Sequence, residues 1–361
     1  MAQETQFVPP TASKGPGNIH LRSELRNMEI IGVEEHTTFP ELLPKDRDHS
    51  AQVYAEIVQH PSLAYAQGRT ADLGSRRLKD MDECGIAVQI LSLGGTNNSM
   101  LLPGKEGVQL ARDINNELKN AVEAHPDRIR ALAELPLHQP KEAVKELHRC
   151  VKELGFVGAL VSGSISGTGK FMDGPEYDAV FSAFEELDVP LFIHPGIPPK
   201  AVYDTYYSIP ERPLLSAAFA LAGWGWHNEV AIHVLRLTLS GVLDRHRRLK
   251  IVVGHQGEMM PMMIQRFDSM FAEEAFNFER RVGEMLRSQV WIAISGLFTL
   301  PPTQAAIATW GVEKVLFVND YPFQDAQRVP DFIRALGDLV APADLRKICQ
   351  MNAEDLFKIK A

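Results

Sequence analysis

The sequence predicts an α/β protein folded as a closed (β/α)8 TIM barrel, with a helical segment inserted between strands five and six. Three observations carry this. Eight apolar runs of strand length recur between residues 29 and 319, amphipathic helical stretches fill the gaps, and ionisable residues gather at the ends of several runs. Eight βα units in one continuous chain close into a parallel barrel, whose functional groups belong at the C-terminal strand ends.

The runs are EIIGVE (29–34), AVQILSL (87–93), IRALAE (129–134), VGALVS (157–162), VPLFIH (189–194), LKIVVG (249–254), VWIAIS (290–295) and KVLFVN (314–319). Between them, RRLKDMDECG ends on Gly85, a residue suited to a helix C-terminus. EGVQLARDINNELKNAVEAH and PKEAVKELHRCVKELG place apolar residues three and four apart. Pro140 suits the first turn of the second helix and Gly155 its end. The stretch 197–248 holds more than one helix and is the expected site of a lid or a subunit contact. An open doubly wound sheet is the structural alternative, but it would need a glycine-rich phosphate loop, which GGTNN (94–98) matches poorly.

Composition narrows the function. A chain of 361 residues with 45% hydrophobic and 23% charged residues is globular. Its net charge of −9 disfavours nucleic acid or an anionic membrane as partner, and the one basic cluster, DRHRRLK (244–250), reads as a solvated turn. The three cysteines, Cys84, Cys150 and Cys349, are far apart and lack CxxC spacing, so a reducing, cytoplasmic setting is expected rather than a disulfide framework or a thiolate zinc site. Residues 1–28 read as an arm-like, partly disordered extension without a signal-length apolar core, and residues 29–361 as one barrel.

Four strand ends carry the chemistry. Strand one closes on Glu34, Glu35 and His36, strand five on His194, strand six leads into His255, and strand eight into Asp320. Residues two apart on a strand face the same way, so Glu34 and His36 share a face while Glu35 points elsewhere. Glu34, His36, His194 and Asp320 together offer two nitrogens and two carboxylates, a set suited to one Zn²⁺ or Mn²⁺ with open positions.

The chain resembles the amidohydrolase superfamily, in its branch of aminocarboxymuconate-semialdehyde-decarboxylase-like proteins. Within that branch it is most similar to aromatic acid decarboxylases of the γ-resorcylate, 5-carboxyvanillate and salicylate type. The resemblance spans about residues 29–358 and rests on EEH, RLKDMDECGI, CVKELGFVGALV, FMDGPEYDAVFSAFEELDVPLFIHPG, VLRLTLSGVLDR, LKIVVGHQGE and NDYPF in family order. It implies a metal held by Glu34, His36, His194 and Asp320, and a catalytic His255 oriented by Glu258. It further implies substrate contacts from Arg266, reaching across a dimer interface, from Arg77 near the substrate carboxylate, and from Phe323 in the pocket wall. Trp224 and Trp226 are expected to pack in the fold, and His227 and His233 to be structural. Two positions depart from the pattern: GGTNNSM stands where such decarboxylases often carry a proline-containing loop, and Asn319 where Ser or Thr is common.

The implied activity is non-oxidative decarboxylation of a hydroxyaromatic acid, with Asp320 protonating the ring and CO2 released. The alternatives are hydrolysis of a lactone or amide, hydration of an unsaturated ring-cleavage acid, and a barrel that only binds. Dinuclear hydrolases of the superfamily usually begin His-x-His and use a modified lysine after strand four, whereas this chain has Glu-x-His and places Lys170 well beyond that strand. Assembly as a homodimer, or a tetramer of such dimers, follows from the resemblance. A helix starting near Gly257 would carry Arg266 about 13 Å along its axis, too far to serve its own site easily.

Overall fold

The computed structural model describes residues 28–42, 49–94, 99–165 and 168–361. The N-terminal extension up to residue 27 and most of the GGTNN loop, residues 95–98, lie outside them. The eight predicted runs become eight parallel strands: β1 (Ile30–Thr37), β2 (Ile86–Leu93), β3 (Ile129–Ala131), β4 (Ala159–Ser162), β5 (Leu191–His194), β6 (Ile251–Val253), β7 (Val290–Ile294) and β8 (Val315–Phe317). They pair in chain order as β1-β2-β3 and β4-β5-β6-β7-β8. The two sheets are joined by the parallel bridge Ala133–Ala159. Helices follow where the apolar periodicity placed them, at Ser75–Cys84, Gly104–Ala124 and Pro140–Lys152, and Gly85 is left-handed at φ 75°. No helix among the described residues is long and apolar enough to cross a membrane.

Strand alternation sorts the core into two layers. Ile31, Val33, Val88, Ile90, Leu160, Phe192, Val252, Ala293, Leu316 and Val318 pack together inside the barrel. Ile30, Leu91, Val161, Ile193, Val253, Ile292 and Phe317 pack outward under the helices. On β5 and β8 the inward series continues to His194 and Asp320 without interruption. On β1 it does not. Gly32 pairs with Gln89 but Glu35 with Leu91, three residues against two. This bulge shifts the parity of the strand. Ile31 and Val33 face inward before it, and Glu34 and His36 face the mouth after it.

The seam between β8 and β1 is closed mainly by a side chain. The amide N–H groups of Asn319 and Tyr321 donate to the two Glu35 carboxylate oxygens at 3.0 and 2.8 Å. One backbone bond, from His36 N–H to the Tyr321 carbonyl at 2.7 Å, completes it. Glu35 is wholly buried, and its carboxylate lies where a Cβ on residue 32 would stand, 2.1 Å from Oε1, so the close approach needs Gly32.

Arg77 braces the same seam. Its guanidinium donates to the His36 carbonyl at 2.7 Å, to Gln89 Oε1 at 3.0 Å and to the Asp72 carbonyl at 2.9 Å, and it stacks on the Tyr321 ring at 4.6 Å. It is fully buried. The expected contact with a substrate carboxylate is therefore corrected: Arg77 lies beneath the site with its donors directed at the protein.

After β6 the chain does not enter a regular helix. His255, Gln256, Gly257, Glu258 and Met259 all have positive φ, between 49° and 82°. A 3-10 turn follows at Met260–Met262, and an α-helix resumes at Ile264–Met270. The continuous helix from Gly257 expected from the sequence is thus replaced by a left-handed turn. Each L-residue held there costs roughly 1–2 kcal/mol. The stretch after β5 holds several helices, with Pro213–Ala220 and Gly225–Leu239 the longest.

Replacing Glu35 with Ala should strand two buried N–H groups and lower stability by on the order of 3 kcal/mol. Urea denaturation checks this, with Glu35→Gln, which keeps one acceptor oxygen, expected to lose less.

Candidate active site

His36 and His194 are each held through Nδ1. His36 Nδ1 meets Ser92 Oγ at 3.1 Å, and His194 Nδ1 donates to the Pro195 carbonyl at 2.8 Å. Both rings therefore present Nε2 to the barrel mouth. His194 Nε2 lies 3.5 Å from Glu34 Oε1, and His36 Nε2 lies 3.5 Å from Asp320 Oδ1. Orienting the far nitrogen to free the near one is the usual preparation of a metal-binding histidine.

Several of these atoms lack a hydrogen bond. Among the described residues, both Glu34 oxygens and His36 Nε2 are buried without a partner. An unpartnered buried carboxylate is expensive. Glu34, His36 and His194 offer ligand atoms within 4.8 Å of one another. A divalent cation fits them: hard oxygens and imidazole nitrogens, no thiolate, and orphaned lone pairs aimed at one point. Gly254 leaves the room, since a Cβ there would stand 2.7 Å from both Glu34 Oε2 and Ser295 Oγ.

The electrostatics follow from burial. Burial pushes the Glu34 carboxyl up to about 7, with Asp320 adding to the push and His255 and His36 opposing it. Burial likewise pushes Glu35 up to about 8, against its two backbone donors and Arg77. His194 is held well below the usual imidazole value by burial and by the neighbouring His36 and His255. Burial would depress His255 too, but the Glu258 carboxylate overrides it and, with Glu34 and Asp320, raises it to about 10. Glu258 Oε1 lies 2.7 Å from His255 Nδ1.

Above this floor opens a cavity of about 350 Å³. His194, His255 and Asp320 reach it from below, Phe323 lines it, and Trp226, Leu221 and His227 come from the inserted segment. Phe323 stands 5.5 Å from the His36 ring and Trp226 6.1 Å from the His194 ring, so Trp226 forms part of the wall instead of only packing in the fold. Trp224 is 46% exposed. His233 is structural as expected: it is buried and accepts the Met172 N–H at 3.4 Å. His227 Nδ1 lies 2.6 Å from Glu258 Oε2, and its ring lines the cavity.

Arg266 is brought to none of this. It is exposed on Ile264–Met270, and no ion pair to it occurs among the described residues. Glu258, the acid it might have paired with on a surface helix, is buried between His255 and His227. Tyr54, Ile57 and Leu63 also line the cavity, and sequence reasoning missed them. Their stretch lies between β1 and the first helix that packs on the barrel, and no motif marks it.

The amidohydrolase family model matches residues 69–359. A γ-resorcylate decarboxylase of Rhizobium radiobacter is 35% identical over 340 residues, covering 91% of this chain and 98% of that protein. The crystal structure of a dihydroxybenzoic acid decarboxylase from Polaromonas sp. JS666, with bound manganese and the inhibitor 2-nitroresorcinol, superposes with a TM-score of 0.79 at 31% identity, covering 92% of this chain and 97% of that one. A 5-carboxyvanillate decarboxylase from Novosphingobium aromaticivorans, complexed with manganese and 4-hydroxy-3-methoxy-5-nitrobenzoic acid, gives a TM-score of 0.83 at 28% identity, with coverage of 92% and 97%.

Gly254→Ala should leave the barrel folded but crowd the Glu34 carboxylate, weakening metal binding by roughly tenfold or more. Titration of metal-stripped protein with Mn²⁺ reads this directly.

Proposed function

The chain belongs to the amidohydrolase family, and from that premise we propose that it is a metal-dependent, non-oxidative decarboxylase of a hydroxyaromatic carboxylic acid. The observation that carries the reading is the set of unpartnered atoms, both Glu34 oxygens and His36 Nε2, converging with His194 beneath an apolar cavity. Glu34, His36, His194 and Asp320 would hold one divalent ion. Manganese is supported by the ion bound in the similar structures, and zinc suits the same donors. When bound, the ion supplies a Lewis-acid charge that steadies the substrate's oxygens and offsets negative charge.

The residues of the chain do the rest. Phe323, Trp226 and Leu221 give the ring an apolar slot, which excludes water and fixes the reacting carbon. Asp320, at the cavity floor, hands a proton to the ring carbon bearing the carboxylate. The bond to the carboxylate breaks, its electron pair restores the aromatic ring, and CO2 leaves. Asp320 is left as the carboxylate and regains a proton from water. His255, held by Glu258, faces the hydroxyl side of the substrate and steadies charge there.

Arg266 fits this scheme as a residue lent by a second copy. Exposed Met259, Met262, Met263 and Met270 flank its position in the sequence, and exposed apolar side chains of this kind suit a self-association face. In a two-fold dimer the contact is isologous, so each chain lends its Arg266 to the other's pocket.

Incubation of the Mn²⁺ and Zn²⁺ forms with a panel of hydroxybenzoates should release CO2 from at least one ortho-hydroxy acid. Asp320→Asn, matched for metal, should lose about 100-fold or more of that turnover. Release of acid from a lactone, with no CO2 from any benzoate, would replace this reading with hydrolysis. Mixing inactive Asp320→Asn and Arg266→Ala chains should restore activity in hybrid dimers, because one pocket then has both intact residues. A fully active monomer in sedimentation would remove the lent arginine.

A further inference from the structure

At the mouth of the cavity Glu258 makes a second contact, to His227, that the decarboxylation scheme has not used. Glu258 is 1% exposed and touches two imidazoles, one on each oxygen: His255 Nδ1 at 2.7 Å on Oε1 and His227 Nδ1 at 2.6 Å on Oε2. The other face of His227 is fixed as well, with Nε2 3.2 Å from the Ala222 carbonyl. Both ring nitrogens therefore face acceptor oxygens, the Glu258 carboxylate and the Ala222 carbonyl. The His227 ring is therefore clamped between the loop at residue 222 and Glu258. It stands 5.2 Å from the His255 ring, roughly perpendicular to it at 77°.

These two histidines come from different parts of the fold. His255 and Glu258 sit in the left-handed turn after β6. His227 opens the helix Gly225–Leu239 of the inserted segment. The same short tip sends Trp226 against His194. His227 and Glu258 thus make the polar tie between the insertion and the group that faces the substrate's hydroxyl.

We propose that His227 is a positioning residue: it fixes the plane of the Glu258 carboxylate and, through it, the orientation of His255. A carboxylate with one partner can rotate about its last bond, whereas one held at both oxygens cannot. Loss of the His227 contact would leave Oε2 buried and unsatisfied, and the carboxylate would turn to find a donor, moving the oxygen that holds His255. The inference rests on the decarboxylase reading for its catalytic consequence, but the tie itself does not depend on it.

Two conservative variants separate the roles of the ring's nitrogens. In His227→Asn the side-chain N–H falls near the position of Nδ1 and can still reach Glu258. In His227→Gln the amide extends toward the position of Nε2 and the Ala222 carbonyl. With the substrate found by the hydroxybenzoate panel, His227→Gln should lose kcat by roughly 10- to 100-fold, the range seen when a group that orients a site residue is removed. KM and metal content should stay near wild type, and His227→Asn should recover most of the loss. Adding His227→Gln to Glu258→Gln should cost little more than Glu258→Gln alone, since both act on His255 by one route. A second readout needs no turnover. In the proton NMR spectrum of the zinc-loaded protein, the strongly shifted Nδ1–H of His255 should move in His227→Gln and stay in His227→Asn. An unmoved His255 signal in His227→Gln overturns the proposal even if no benzoate is a substrate. So does a Gln variant as active as the Asn variant, or a loss of rate that tracks loss of metal.

Discussion

The architecture of the site depends on the Glu35 carboxylate. A barrel of eight strands must close on itself, and here the last strand ends too early for a full backbone ladder with the first. Glu35 supplies two acceptor oxygens in place of two carbonyls, taking the N–H groups of Asn319 and Tyr321. Asp320 lies between them, at φ 62°, and is thereby turned toward His36. The bulge in β1 works with this. It moves Glu34 and His36 to the mouth and leaves Glu35 to reach sideways across the seam. Three consecutive ionisable residues thus face two ways, Glu34 and His36 into the mouth and Glu35 across the seam. Arg77 underneath, bonded to the His36 carbonyl and stacked on Tyr321, holds both strands against the charge of Glu35.

A second constraint is the turn at 255–259. Residues with side chains rarely follow one another in the left-handed region, and four of the five here have them. Such strain persists only where surrounding contacts over-determine it. Those contacts are visible: the His255 N–H donates to Ser295 Oγ at 2.7 Å, Gln256 Nε2 to the Leu297 carbonyl at 2.9 Å, and Glu258 is held by two imidazoles. What the strain achieves is a hydrogen bond between residues 255 and 258 directed into the barrel mouth. A right-handed helix starting at the same point would send the chain, and Glu258 with it, along a different axis.

The fold was largely legible because its signal is repetitive. Eight apolar runs with helical stretches between them leave few architectures, and the ligand residues sit at strand ends where inward parity can be counted. The pairing of Glu34 with His36 was read correctly from a two-residue period. The bulge that reverses that parity between Val33 and Glu34 has no mark in the sequence, because bulges are set by the partner strand. Arg77 is ambiguous in sequence for a related reason: a helix-face arginine reads the same whether it turns to the cavity or beneath the barrel, and what decides is the acceptor, the His36 carbonyl on β1. The turn after β6 reads as a helix because HQGEMM carries only a lone glycine, and the proline that follows, Pro261, comes after the break. His227 and Trp226 read as packing residues in sequence, since they meet Glu258 and His194 only once the inserted segment has folded back over the barrel mouth. Tyr54, Ile57 and Leu63 are ordinary in sequence and become a wall only by position.

Charge balance explains why the pocket looks as it does. Glu34, Asp320 and Glu258 lie at or beneath its floor, and among its described lining residues there is no lysine or arginine. The one deeply buried guanidinium nearby, Arg77, is engaged with backbone carbonyls, Gln89 and the Tyr321 ring, and faces Glu35. A benzoate entering such a space meets carboxylates in a region of low dielectric, where repulsion is several times what it would be in water. His255, raised to about 10 by its acidic neighbours, offsets part of this. The remainder must come from charge that the folded chain does not place there itself. The orphaned lone pairs of Glu34 and His36 suit a cation on the floor, and Arg266, exposed and without an ion pair among the described residues, is the arginine that the proposed dimer would lend. An anionic substrate in so apolar and acidic a pocket therefore calls for positive charge beyond His255, and the unpartnered Glu34 oxygens and His36 Nε2 mark the floor as the place where the proposed cation would supply it.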